Sequence, residues 1–187
     1  MRIAVVAERN VFVNKYLLRS ISNAVEKYKN RVDKVIDVSS ITPFNYNAVI
    51  NKGLAHIKDY YEWVCVCNND LIFDENWLQS IKISLQEHPD VKSICPRHSV
   101  NQKYDEFGYV CNRHMLGYCF MFHKDILDKI KKFDETFDFY FQDDDYIEIV
   151  KRLNYKHISV AKSIVTHLGQ QTTGKNCMSK LLFMEIL

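Results

Sequence analysis

A single α/β domain, with a mostly parallel sheet covered by helices on both faces, is what three features of this sequence predict. Short apolar runs rich in β-branched residues alternate with helical patterns three times in the first half of the chain. Polar residues cluster where those runs end, the edge at which open α/β sheets bind ligands. No repeat, low-complexity stretch or linker divides residues 1–187, so one domain is expected. Hydrophobic residues make up 47% of the chain and charged ones 26%, enough for a sizeable core. With 25 basic and 23 acidic residues the formal charge is only +2, which argues against bulk nucleic-acid binding. No apolar run approaches the roughly 20 residues that span a bilayer. Met1-Arg2-Ile3 leads into a strand rather than a signal peptide, so a cytoplasmic location is expected.

Taken in order, Ile3 to Ala7 reads as a central strand, followed by the polar loop Glu8-Arg9-Asn10. Tyr16, Leu17, Ile21, Ala24 and Val25 are spaced for one buried helical face. Lys34 to Val38 is a second strand that ends on Asp37-Val38-Ser39-Ser40, groups suited to a sugar or base edge. Val49, Ile50, Leu54 and Ile57 mark a helix over 48–57. The run around Val64 and Val66 is a buried strand that delivers Asn68-Asn69-Asp70 to the sheet edge. Asp74 is placed to cap a helix carrying Trp77, Ile81 and Leu85. Val91 to Cys95 reads as a strand stopped by Pro96, and 97–114 as a long surface excursion. Tyr118 to Phe122 is a strand, Lys124 to Ile130 a short helix, and Ile158 to Val165 a strand closed by Thr166-His167-Leu168-Gly169. Gln170 to Lys175 has the small, polar composition of a lid, and Lys180 to Leu187 reads as a short apolar helix.

Chemistry concentrates in three places. Asp70 lies between two hydrophobic segments, where a carboxylate needs a partner; the plain alternative is a turn residue. Asp143, Asp144 and Asp145 follow a dense aromatic run and precede the helix through Ile147, Val150 and Leu153. A helix amino end accounts for one or two of these acids through its dipole, less easily for three in a row. In an extended approach to that helix, Asp143 and Asp144 would face opposite ways, with Asp145 already inside the first turn. Six cysteines in a chain with this much core are expected to be reduced and mostly buried. A zinc site from Cys111, His114, Cys119 and His123 is disfavoured, because Cys119 and His123 on one strand would lie about 13 Å apart.

The opening strand and loop IAVVAERN, then VIDVSS, Asn51-Lys52-Gly53, WVCVCNND, GYCFMF, FDETFDFYFQDDDY and VTHLG occur in an order that resembles the family-two glycosyltransferases of the GT-A fold, a Rossmann-like architecture. The resemblance spans nearly the whole chain. It implies that Ala7, Glu8, Arg9 and Asp37 lie against the base and ribose of a nucleotide-sugar donor, a UDP-sugar foremost. It implies that Asn68, Asn69 and Asp70 occupy the place of the family's DXD motif, that Asp70 and His167 hold Mn2+ or Mg2+, and that Asp143 is the catalytic base of an inverting transfer. The acceptor stays open among glycan, lipid, protein and modified nucleic acid. Two positions depart from the family pattern: the triplet holds one acid, and Gln142 stands where Glu is usual. A metal-dependent nucleotidyltransferase or nuclease using Asp70, Asp143 and Asp145, and a catalytically silent nucleotide-sugar-binding module, are the alternatives from other classes.

Overall fold

The structure, a computed structural model, describes residues 3–7, 19–21, 32–37, 45–55, 57, 62–68, 70–98, 109–111, 115, 117–137, 142–168 and 181–186. Among them nine strands form one sheet: β1 (Ile3–Ala7), β2 (Val32–Asp37), β3 (Trp63–Asn68), β4 (Leu71–Phe73), β5 (Val91–His98), β6 (Tyr109–Cys111), β7 (Cys119–His123), β8 (Lys156–His167) and β9 (Leu181–Ile186). The helices α1 (Tyr46–Leu54), α2 (Trp77–Glu87), α3 (Lys124–Ile130) and α4 (Gln142–Arg152) accompany it, and residues 19–21 are also helical.

The class is α/β, but the sheet is mixed rather than mostly parallel. Parallel pairing is confined to β1 with β2, β1 with β3, and β5 with β8. β7 runs antiparallel between β3 and β5. β4 and β6 run antiparallel to β8, and β9 antiparallel to β3. Parallel neighbours need a crossover, usually a helix. The chain supplies α3 and α4 between β7 and β8, which lets β8 lie parallel to β5, whereas between β5 and β7 the described residues form only β6.

Period-two alternation sorts the central strands onto two cores. Cys65, Cys67, Cys119 and Met121 face Trp77, Leu78 and Ile81 of α2. Val64, Val66, Phe120 and Phe122 face Val49 and Ile50 of α1, Ile126 of α3, and Tyr146, Ile147 and Val150 of α4. Helices therefore cover both faces. Phe120, Phe122, Phe133 and Tyr146 form one aromatic cluster, with ring centroids 5.0 Å apart for Phe120 and Tyr146 and 5.7 Å for Phe122 and Phe133. Cys65, Cys67, Cys95 and Cys119 are buried free thiols. Among the described residues no helix is long and apolar enough to cross a membrane.

Several local expectations need correction. The segment from Leu181 to Ile186 is a strand, not a helix, and lies against β3 with Cys65 opposite Met184. A short apolar run carries no period that separates the two states, and an available strand edge decides. Pro96 does not stop β5, which continues to His98 across a register shift between Pro96 and Arg97; a bulge is where a strand accommodates a residue without an N–H. Asp74 does not cap α2: Asn76 is the capping residue, and Asp74 Oδ1 accepts from the Asn76 N–H at 2.8 Å in a turn that precedes the helix. Asp143, Asp144 and Asp145 all lie in the first turn of α4, with no extended approach at Asp143. Of the helix expected around Tyr16 to Val25, residues 19–21 are helical and the remainder lies outside the described residues, as does the Gln170 to Lys175 segment.

A polar clasp ties α1 to the segment that leads into α4. Asn45 Nδ2 donates to the Glu135 and Phe137 carbonyls at 2.7 and 3.3 Å, and Asn47 Nδ2 donates to the Asp134 carbonyl. Asn51 closes a two-way bond with Phe133, donating to its carbonyl at 2.9 Å and accepting from its N–H at 2.8 Å. Asn51→Ala leaves both Phe133 groups without that partner and is expected to lower stability by about 1–3 kcal/mol. Denaturant unfolding of the two proteins measures it, and an unchanged midpoint would show that water replaces the amide.

Candidate functional site

Three strand ends meet at one edge of the sheet. β3 ends on Asn68, β4 begins just after Asp70, and β8 ends on His167. Antiparallel pairing sets Leu71 opposite His167, and the Leu168 N–H donates to the Asp70 carbonyl at 3.0 Å. This register brings a carboxylate from one strand beside an imidazole from another. His167 Nε2 lies 3.0 Å from Asp70 Oδ1 and 3.3 Å from Asn68 Nδ2. Asp70 is only 4% exposed, while the His167 side chain keeps 26% of its surface open. The ring stacks on Tyr118, centroids 5.3 Å apart and planes 26° from parallel, which holds its orientation.

The chemistry of this donor set suits a hard divalent cation. A neutral imidazole with its proton on Nδ1 would point a lone pair at the Asp70 oxygen, a repulsion that a proton or a cation between them removes. Two ligands at right angles around a metal with bonds of about 2.1 Å are separated by about 3 Å, which matches the Asp70 to His167 spacing. Exchanging the assignment of the Asn68 amide would turn its oxygen toward the same point. One carboxylate and one imidazole form a partial set of the kind that substrate phosphates complete. Among the described residues, no group of three acidic, cysteine or histidine side chains is arranged to hold a metal.

The acid cluster reaches the same neighbourhood through the turn before β7. A Cβ placed on Gly117 would lie 3.5 Å from Asp143 Cβ and Oδ2, so the Asp143 carboxylate packs against this glycine. Tyr118, the next residue, carries the ring on His167, and its carbonyl accepts from the Asn68 N–H at 2.7 Å. Two consecutive residues thus join the acid of α4 to the histidine of β8 and to the end of β3. Asp143 Oδ1 also accepts from the Asp144 N–H at 3.1 Å. Asp144 is exposed. Asp145 has its carboxyl raised by burial, opposed by Arg152 and reinforced by the charge of Asp134. Gln142 is 7% exposed, and its Nε2 has no hydrogen-bond partner among the described residues. An amide at this buried position avoids the desolvation cost that a carboxylate would carry there.

Of the residues singled out in the sequence, Asn68, Asp70 and His167 are brought together, and Asp143 is joined to them through Gly117 and Tyr118. Ala7 and Asp37 sit opposite each other at the ends of the parallel strands β1 and β2. Glu8, Arg9 and Asn69 lie outside the described residues, as do the aromatics Phe139, Tyr140 and Phe141. Tyr118 and Gly117 were not singled out by sequence reasoning. The signal was their place at the start of the GYCFMF strand, on the sheet edge that also receives Asp70.

No known family profile and no curated protein matches the sequence. Solved structures do match. The catalytic domain of Drosophila β1,4-galactosyltransferase 7 in complex with xylobiose superposes with a TM-score of 0.59 at 12% identity, over 91% of this chain and 71% of that one. A mutant of the same enzyme in complex with manganese, UDP-Gal and xylobiose gives 0.60 at 10% identity over the same shares. These are GT-A glycosyltransferase domains, and at such identity the likeness establishes that this chain has their fold.

Proposed function

We propose that the chain is a manganese-dependent inverting glycosyltransferase that moves a sugar from a UDP-sugar to an acceptor hydroxyl. The observation that carries this reading is the pairing of Asp70 with His167 at 3.0 Å on the strand-end edge, joined to Asp143 through Gly117 and Tyr118. The Drosophila β1,4-galactosyltransferase 7 mutant with this fold holds manganese, UDP-Gal and xylobiose, which supports the same assignment here.

In this mechanism Asp70 and His167 hold the cation, with Asn68 beside them. Bound there, the cation supplies positive charge to the diphosphate leaving group. Ala7 and Asp37, with Glu8 and Arg9, receive the base and ribose. Tyr118 keeps the imidazole plane in place, so the donor set needs little reorganisation when the donor arrives. Asp143 takes the proton of the acceptor hydroxyl as that oxygen attacks the anomeric carbon from the face opposite the diphosphate. A sugar hydroxyl is the first acceptor to test; lipid, protein and modified nucleic acid follow.

The two-metal nucleotidyltransferase or nuclease would need Asp70, Asp143 and Asp145 around one point, and no observation on the described residues favours it. Calorimetric titration with UDP, with and without manganese, tests the proposal directly. UDP should bind with manganese and lose most of that affinity when EDTA is added. Equal affinity in both conditions would overturn the metal-dependent reading. A screen of nucleotide sugars scored by release of nucleoside diphosphate then separates an enzyme from a silent binding module.

A further inference from the structure

Helix α1 presents two adjacent faces. Val49 and Ile50 enter the core with Tyr46 packed beside them, while Asn45, Asn47 and Asn51 clasp residues 133–137. Tyr46 does more than fill space. Its hydroxyl donates to the carbonyl of Gly117, 71 residues away, at the turn that leads into β7. That turn is thereby held at two consecutive residues: Gly117 by Tyr46, and Tyr118 by the Asn68 N–H of β3. Asp143 lies against the first of these residues and His167 against the second.

The geometry points to Tyr46 as a positioning residue for Asp143, acting through the Gly117 carbonyl; this rests on the reading of Asp143 as the base. Freed from Tyr46, the Gly117 turn can shift, and the surface against which the carboxylate rests shifts with it. The clasp from Asn45, Asn47 and Asn51 holds residues 133–137, ahead of α4, from the same helix. Burial, and after it the negative charge of Asp143, push the Tyr46 phenol well above its usual range. The phenol therefore stays a protonated donor wherever the enzyme works.

Tyr46→Phe keeps the ring in the core and removes only the hydroxyl. Two readouts distinguish positioning from packing. The first needs no substrate: amide exchange at Asp144, whose N–H is bound to Asp143 Oδ1, should accelerate on the order of tenfold, with the amides of 64–67 in β3 unchanged. The second is UDP release from UDP-galactose with manganese. Turnover should fall about tenfold while UDP affinity stays within about twofold, and adding Tyr46→Phe to Asp143→Asn should cost nothing more. Unaltered Asp144 exchange, or losses that add in the double variant, would overturn the positioning role alone. Retained turnover in Asp143→Asn by itself would instead overturn the base assignment.

Discussion

Asp143→Asn should lower transfer by about 10²- to 10⁴-fold and leave donor affinity nearly unchanged, the signature of a lost general base. Asparagine keeps the shape that packs against Gly117, so the turn that carries Tyr118 stays in place. Asp144→Asn and Asp145→Asn should be far milder in turnover. Asp144 is exposed, and neither residue is joined to the His167 ring through the Gly117-Tyr118 turn. Transfer rates and UDP affinities of the three single variants decide the matter. Near-normal turnover in Asp143→Asn, or a larger loss in Asp145→Asn, would move the base elsewhere. A product that keeps the donor's anomeric configuration would rule out the inverting course independently.

The second large effect is expected at Asp70. Asp70→Asn should weaken manganese-dependent UDP binding by more than the roughly 10- to 100-fold that loss of an outer-shell partner costs a metal site, because a ligand itself is removed. His167→Ala should act in the same direction, and the two losses should not add, since the atoms stand 3.0 Å apart and would share one ion. Tyr118→Leu, which removes the stacked ring and keeps an apolar side chain, should cost less than either. Calorimetry with UDP and manganese measures all four variants. Unchanged affinity in Asp70→Asn would remove that residue from the site and return it to the role of a buried turn carboxylate satisfied by His167.

Much of this site was legible because strand ends announce themselves locally. An apolar run of β-branched residues that stops on Asn68-Asn69-Asp70 places those groups at a sheet edge whatever the sheet's connections, and the acids ahead of Tyr146 and Ile147 sit at a helix start for the same local reason. Both bounds of α3, Lys124 and Ile130, coincide with those expected from the sequence, and His123 caps the helix by accepting from the Asp125 N–H at 3.2 Å. Strand direction was not legible. Cys67 pairs antiparallel with Cys119 and Val5 parallel with Val35, yet nothing in either run encodes the difference, because direction is set by the connections and by which edge is free.

By itself, then, the sequence determined that β1, β2, β3, β5, β7 and β8 are strands, that helices flank them, and that Asp70 and His167 follow strand ends, but not that β4, β6 and β9 join the sheet. Tertiary structure alone decided that the carboxylate of Asp70 meets the imidazole of His167, since their contact depends on a one-residue register between β4 and β8 that a slip would destroy. It also decided that β9 is a strand, because β3 offered it a partner. The link from Tyr46 to Gly117 spans 71 residues and joins a helix to a turn through one hydroxyl, a contact for which neither segment carries a period, a motif or a charge pattern.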